Sequence, residues 1–358
     1  MESPLGVAIP ASNSTVSVSI IDTTSWAYKI PCRDLFYPRF AGLDTFDICS
    51  YAFLITHNNR HVLFDLGIKK DWEELVPDTV ARLKRSGTSV VVEKELVDIL
   101  RDGGTDLNDI DAVVHIHWDH TGNLASFPPS TDLVVGPGIV DRFMPGWPTV
   151  ADSHFRESDV LGRKITGLEN QRFTIDIGGL RGYDYFGDGS FYLLNAPGHS
   201  LGHINALART SADPDTYIFL AADSVHLAGE VRPTHSLPLP DEIDVPNIVP
   251  RPCPAEHLLQ IHPRASRMLQ FLGLDRCFPE DLDAAEKTIE SIEKFDADER
   301  VLVVWAHDVT MYKTLEYYPA IANGWKAKGW KGTGRWAFLS DLQKIANEQK
   351  VKSQHEEL

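Results

Sequence analysis

Cysteine is scarce: the 358 residues hold four, Cys32, Cys49, Cys253 and Cys277, scattered and without a CxxC pair. That excludes a disulfide framework and a cysteine zinc site, so any metal must be held by histidine and carboxylate. Basic residues are also short, with 34 Lys plus Arg against 51 Asp plus Glu and a net charge of -17. A surface of that sign repels a phosphate backbone or an anionic membrane, and no nucleic-acid partner is expected. Long apolar runs are missing too: the opening MESPLGVAIPASNSTVSVSI carries Glu2 and no basic cluster, and no later stretch approaches a membrane span. The expectation is a cytoplasmic protein with no membrane partner. No repeat of solenoid period and no low-complexity segment is found.

What is present is an ordinary globular composition, 43% apolar, enough to bury a large core. YAFLIT (51–56) and HVLFDL (61–66), separated by His57-Asn58-Asn59-Arg60, read as a β-hairpin. VVEKELVDILRDGG places Val92, Leu96, Ile99 and Leu100 at helical spacing before Gly103-Gly104, and the short apolar DAVV that follows reads as a buried strand. FYLLNAPGHSLGH, TYIFLAAD and RVLVVWAHD repeat the theme of a strand running into His199, Asp223 and His307. Between Asp223 and the helical DLDAAEKTIESIEKF lies VRPTHSLPLPDEIDVPNIVPRPCP, too rich in proline for a regular helix or a central strand. It is expected to be a long loop or lid, and the terminal DLQKIANEQKVKSQHEEL a helix fraying into a polar tail.

The stretch DAVVHIHWDHTGN gathers His115, His117, Asp119 and His120 in six positions. His115 and His117 are two apart at a strand end, so an extended backbone projects both to one side, where they can grip one ion. Asp119 and His120 then turn away and can serve a second. With His199, Asp223 and His307, the chain offers seven nitrogen and oxygen ligands, a set that suits a pair of zinc-like ions with positions open for water.

HIHWDH resembles the HxHxDH signature of the metallo-β-lactamase superfamily, and APGHSLGH is similar to its PGHTPGH element. VLFDLG, LAAD and WAHD match further family segments in the right chain order, so the resemblance runs from about residue 48 to 310. It implies an α/β fold, an αβ/βα four-layer sandwich with two mixed β-sheets and a metal site at one edge. It also implies two Zn2+, with His115, His117 and His199 on one, Asp119, His120 and His307 on the other, and Asp223 bridging both. His203 is not a ligand in the family and is expected to be structural, and Asp65 to be structural or to support a metal histidine, rather than to bind metal. The expected organisation is an N-terminal extension over 1–47 packed on a hydrolase domain over 48–358, with the proline-rich insertion at about 224–280.

Two zinc ions can hold a bridging hydroxide and polarise a carbonyl, which is the chemistry of hydrolysis. The lactonase-like branch is the nearest in overall pattern and implies opening of a cyclic ester. That branch usually has a tyrosine three residues after the bridging aspartate, where this chain has His226, which widens the expectation to a lactone, lactam or cyclic carbamate of a small apolar molecule. Asp119, as proton shuttle, and His226, as donor to the carbonyl, are the candidate catalytic residues. RDLFYPRF and DRFMPGWP supply candidate substrate contacts in Phe36, Tyr37, Phe143 and Trp147. Two alternatives stand beside this one: a thioesterase of the same superfamily, and a non-catalytic metal-binding protein. The expected partner is a small molecule, with association into a homodimer left open.

Overall fold

The fold is given by a computed structural model that describes residues 6–32, 35–114, 117–276 and 279–356, with side chains through residue 348. The first strands are β1 (Ser17–Pro31), β2 (Phe36–Tyr37), β3 (Thr45–His57), β4 (Arg60–Phe64), β5 (Ser89–Val92), β6 (Ile110–Val114), β7 (Asp132–Val135) and β8 (Ile165–Gly167). Then come β9 (Ile175–Ile177), β10 (Leu180–Asp184), β11 (Phe191–Asn195), β12 (Ile204–Ala212) and β13 (Asp215–Leu220). The short β14 (Glu242–Ile243), β15 (Cys253–Pro254) and β16 (Gly273–Leu274) precede β17 (Val301–Val304). One sheet runs β5-β1-β3-β4-β6-β7-β8 and the other β17-β13-β12-β11-β10-β9. Both are mixed: β4, β6, β7 and β8 pair in parallel in the first, and β13 with β17 in the second.

Period-two alternation assigns each strand face to its own core. Tyr51, Phe53 and Ile55 of β3 meet Ala206 and Ala208 of β12, Ile218 and Leu220 of β13, and Leu302 and Val304 of β17 between the sheets. The opposite face of the first sheet, with Ala52, Leu54 and Val113, packs on Leu96, Val97 and Leu100 of the helix Leu96–Asp102. The opposite face of the second, with Tyr217, Phe219 and Val303, packs on Ile289, Ile292 and Phe295 of the helix Leu282–Ala297. The order is helix, sheet, sheet, helix, the four-layer α/β sandwich. Among the described residues no helix is long and apolar enough to cross a membrane.

The hairpin reading of residues 51–66 agrees with β3 and β4, which turn through Asn58 at φ +53°. Val92 is a correction: it belongs to β5, paired with Ser25 of β1, and the helix starts only at Leu96. Ser89–Val92 holds three consecutive valines beside an open sheet edge, and pairing there satisfies backbone groups that a longer helix would leave facing β1. The proline-rich segment is irregular but well packed, with Val231, Leu239, Ile243, Val245 and Ile248 buried in the core of the second sheet's outer face.

Candidate metal centre

Four strand ends converge at one edge of the sandwich. β6 ends at Val114, and the following turn is tied by His120 N and Thr121 N donating to His117 O at 3.2 and 2.9 Å. His117 itself sits at φ +94°, an uncommon conformation held by those bonds. β11 leads through Pro197-Gly198 to His199. Gly198 is required there, because at φ +123° it lies so close to the helix Leu282–Ala297 that a Cβ would meet Ala285 N at 2.1 Å. β13 delivers Asp223 on the single turn Ala222–Ser224, and β17 delivers His307 three residues past its end.

Asp223 is the centre of the arrangement. Its Oδ1 lies 2.8 Å from His120 Nε2 and 2.9 Å from His307 Nε2, and its Oδ2 lies 3.1 Å from His117 Nδ1 and 3.4 Å from His199 Nε2. Asp119 completes the first set, 3.7 Å from His120 Nε2 and 3.6 Å from His307 Nε2. The described donors thus form two groups, Asp119, His120, Asp223 and His307, and His117, His199 and Asp223, with one oxygen of Asp223 turned to each. His115 lies outside the described residues.

These donors fit metal. Asp119 Oδ1 is buried with no hydrogen-bond partner among the described residues, which costs free energy unless a cation sits against it. Imidazole with carboxylate is the donor chemistry of a divalent transition metal. The supporting contacts set which nitrogens face inward. Asp65 Oδ2 lies 3.0 Å from His120 Nδ1, and Cys49 O accepts from His307 Nδ1 at 2.8 Å, so both Nε2 atoms are turned toward Asp223 and the centre. His203 holds Asp223 from behind: its Nε2 accepts from Asp223 N at 3.2 Å while its Nδ1 donates to Ala196 O at 3.2 Å.

Electrostatics follow from burial and from this crowding. Burial opposes charge on His120, yet the carboxylates of Asp223, Asp65 and Asp119 outweigh it and hold its pKa well above the ordinary value. Asp223 is the mirror case, where burial opposes the carboxylate but His120 and His307 draw its pKa well below the usual range. Burial dominates at His199 and His203, pushing each down to about 3, so both imidazoles are neutral.

A cavity of about 320 Å³ lies over the centre. Its wall includes Phe46, Ile48, Trp118, His154, His226 and Arg82, the last with its guanidinium 5.7 Å from the Trp118 ring centre. His226 is buried, its ring 5.3 Å from that of His199 and 6.2 Å from that of His307. The four expected substrate contacts stand further out. Phe36 packs edge-on behind Phe46 at 5.6 Å, and Tyr37 is 64% exposed. Phe143 backs His154 at 4.5 Å, and Trp147 lies under the guanidinium of Arg156. Sequence reasoning missed Phe46 and His154. Trp118 had a signal in its place inside HIHWDH, whereas His154 is a lone histidine in a loop that only folding brings to within 6.0 Å of the His117 ring.

The model of the metallo-beta-lactamase superfamily matches residues 49–207. The gamma-lactamase FDB1 of Fusarium pseudograminearum is 42% identical over 360 residues, covering 96% of this chain and 87% of that protein. The chain belongs to the metallo-β-lactamase superfamily. Another relative, the cytochrome P450 monooxygenase mpaDE of Penicillium roqueforti, is 41% identical over 94% of this chain, which spans only 38% of that protein's length. Among solved structures, a B. thuringiensis AiiA variant with N-decanoyl-L-homoserine at its active site superposes with a TM-score of 0.56 at 14% identity. The match covers 86% of this chain and 99% of that one, so the two share the metallo-β-lactamase fold. Membership of that superfamily and the two donor groups around Asp223 point to a dinuclear metal centre.

Proposed function

We propose that this protein is a dinuclear zinc hydrolase that opens the ring of a small, largely apolar cyclic amide, carbamate or ester. The observation that carries the reading is the position of Asp223, one carboxylate oxygen turned toward each of two imidazole groups. The relatedness to a gamma-lactamase along nearly the whole chain supports a cyclic amide as the first substrate to try. When bound, the two ions supply Lewis acidity for the ring carbonyl and acidify water that is otherwise inert near neutral pH.

The chain's own residues do the rest. Asp119 faces the centre with an oxygen that has no hydrogen-bond partner among the described residues, and we assign it the proton passed to the leaving nitrogen or oxygen. Burial pushes the His226 pKa well below its ordinary value, with Asp223 only partly offsetting this, so it serves as a neutral N–H donor to the ring carbonyl. Phe46, Ile48 and Trp118 give the cavity its apolar side. His226, which lies in the loop after Asp223 and lines the cavity over the centre, is the assigned contact to the substrate carbonyl.

The test is hydrolysis by the zinc-loaded protein of matched lactams, cyclic carbamates, lactones and acyl thioesters, with Asp223→Ala as the control. Ring opening that falls to background in the control is the expected result, and cleavage of thioesters alone would overturn the reading. An amide nitrogen needs protonation to leave more than an ester oxygen does. Asp119→Asn is therefore expected to lower lactam turnover at least tenfold more than lactone turnover at equal metal occupancy, and equal losses would remove the shuttle role.

A further inference from the structure

A second cavity, of about 300 Å³, adjoins the one over the metals. Phe46, His226 and His307 line both, so the two spaces meet across these three side chains. Each cavity alone is at the lower end of what a small-molecule site provides, and together they suit a ligand with two parts.

The wall of the second cavity comes from segments distant in sequence. Leu43 precedes β3 and Phe46 stands at its start, Leu272 and Trp305 flank β16 and β17, and Leu342 and Ile345 lie on the C-terminal helix Phe338–Glu356. Phe338, Leu342 and Ile345 recur at helical spacing, so this helix turns one apolar stripe to the cavity. Leu272 and Trp305 are each only 1% exposed. Among the described residues the lining carries no lysine or arginine, and its acidic members are Asp47, Asp308 and Asp341. Such a wall repels an anionic group and accepts an uncharged apolar one. Asp47, Val309 and Asp341 are exposed, so part of the cavity's lining reaches the surface.

We propose that this second cavity seats an uncharged apolar substituent, alkyl or aryl, carried by the ring that the metal centre opens. The proposal rests on the ring-opening reading above and adds the part of the substrate that does not react. His226 and Phe46 stand at the junction, with the reacting carbonyl on one side and the substituent on the other. Remote binding of this kind raises kcat/KM for the substituted ring over the bare one.

The experiment compares an unsubstituted five-membered lactam or lactone with the same ring bearing a hexyl or phenyl group. The wild type is expected to prefer the substituted ring at least tenfold in kcat/KM. Leu342→Trp and Leu43→Trp fill the cavity from opposite walls. Each is expected to cost the substituted ring at least fivefold more than the bare ring, expressed mainly in KM. No preference in the wild type, or equal losses on the two rings in both variants, overturns the proposal. Calorimetric titration of the metal-free protein with the hexyl-substituted lactam separates the two readings. Saturable binding weakened at least fivefold by Leu342→Trp, with no ring turned over by the zinc-loaded protein, would keep the pocket and overturn ring opening. Turnover of rings with binding indifferent to the substituent would do the reverse.

Discussion

His120 has one ring nitrogen on the buried carboxylate of Asp65 and the other on Asp223, and this pairing fixes which nitrogen can reach a metal. Removing such a support typically costs about 10–100-fold in metal affinity. Asp65→Ala is therefore expected to weaken zinc binding by that factor in competition with a chelator, and unchanged affinity would reduce Asp65 to a packing residue. A different buried charge governs a pH effect. Lys331 donates from Nζ to the carbonyls of Asp298 and Val301 at 2.6 and 2.5 Å, and burial lowers its pKa from 10.5 to about 8. Between those values the unfolded chain binds the proton and the folded chain does not, so this group's contribution to stability rises with pH across that window. Below about pH 8 both states are protonated and the full cost of burying the charge is present. Lys331→Met is expected to flatten the dependence of unfolding free energy on pH between 8 and 10.5, measured by urea titration. An unchanged slope would refute the assignment.

The proline-rich segment illustrates what an element can hide. Its composition excludes helix and central strand, which is correct, but composition cannot show what pins it. The pin is Arg232, whose Nε and Nη2 donate to the two carboxylate oxygens of Asp296 on the helix Leu282–Ala297 at 2.7 and 2.6 Å. Both partners are buried, at 5% and 1% exposure, so removing one leaves an unpaired charge in the core. Asp296→Ala is expected to destabilise the fold by about 3–5 kcal/mol in denaturant unfolding. A change below about 1 kcal/mol, the worth of an exposed pair, would show that the pair is solvated in solution. The short strand at Val92 was misread for a related reason: a run of three valines next to a helix fits both periods, and only the free edge of β1 decides between them.

At the scale of the molecule, the candidate metal ligands come from both sheets. His117, Asp119 and His120 follow β6 of the first, and His199, Asp223 and His307 follow β11, β13 and β17 of the second. Bound metal therefore stabilises the folded state alone, by about 2.7 kcal/mol at a free concentration 100 times Kd. Chelation is expected to lower Tm by several degrees, and readdition of zinc to restore it. A Tm indifferent to chelator would mean that the sheets hold their edge without the ions.

The sequence by itself determined the fold family, because the motifs that mark it are local: a strand period of two, a Pro-Gly turn and HIHWDH are each written within a dozen residues. It also limits the candidate ligands, since scarce cysteine leaves histidine and carboxylate. Only the tertiary structure decided which atoms face one another. The distance from Asp223 to each imidazole, the hold of His203 on Asp223 and the arrival of His154 beside His117 depend on how two sheets are staggered. The walls of both cavities are of the same kind. Phe46, His226, Trp305 and Leu342 come from segments far apart in the chain, and no local pattern records that packing will bring them to one space.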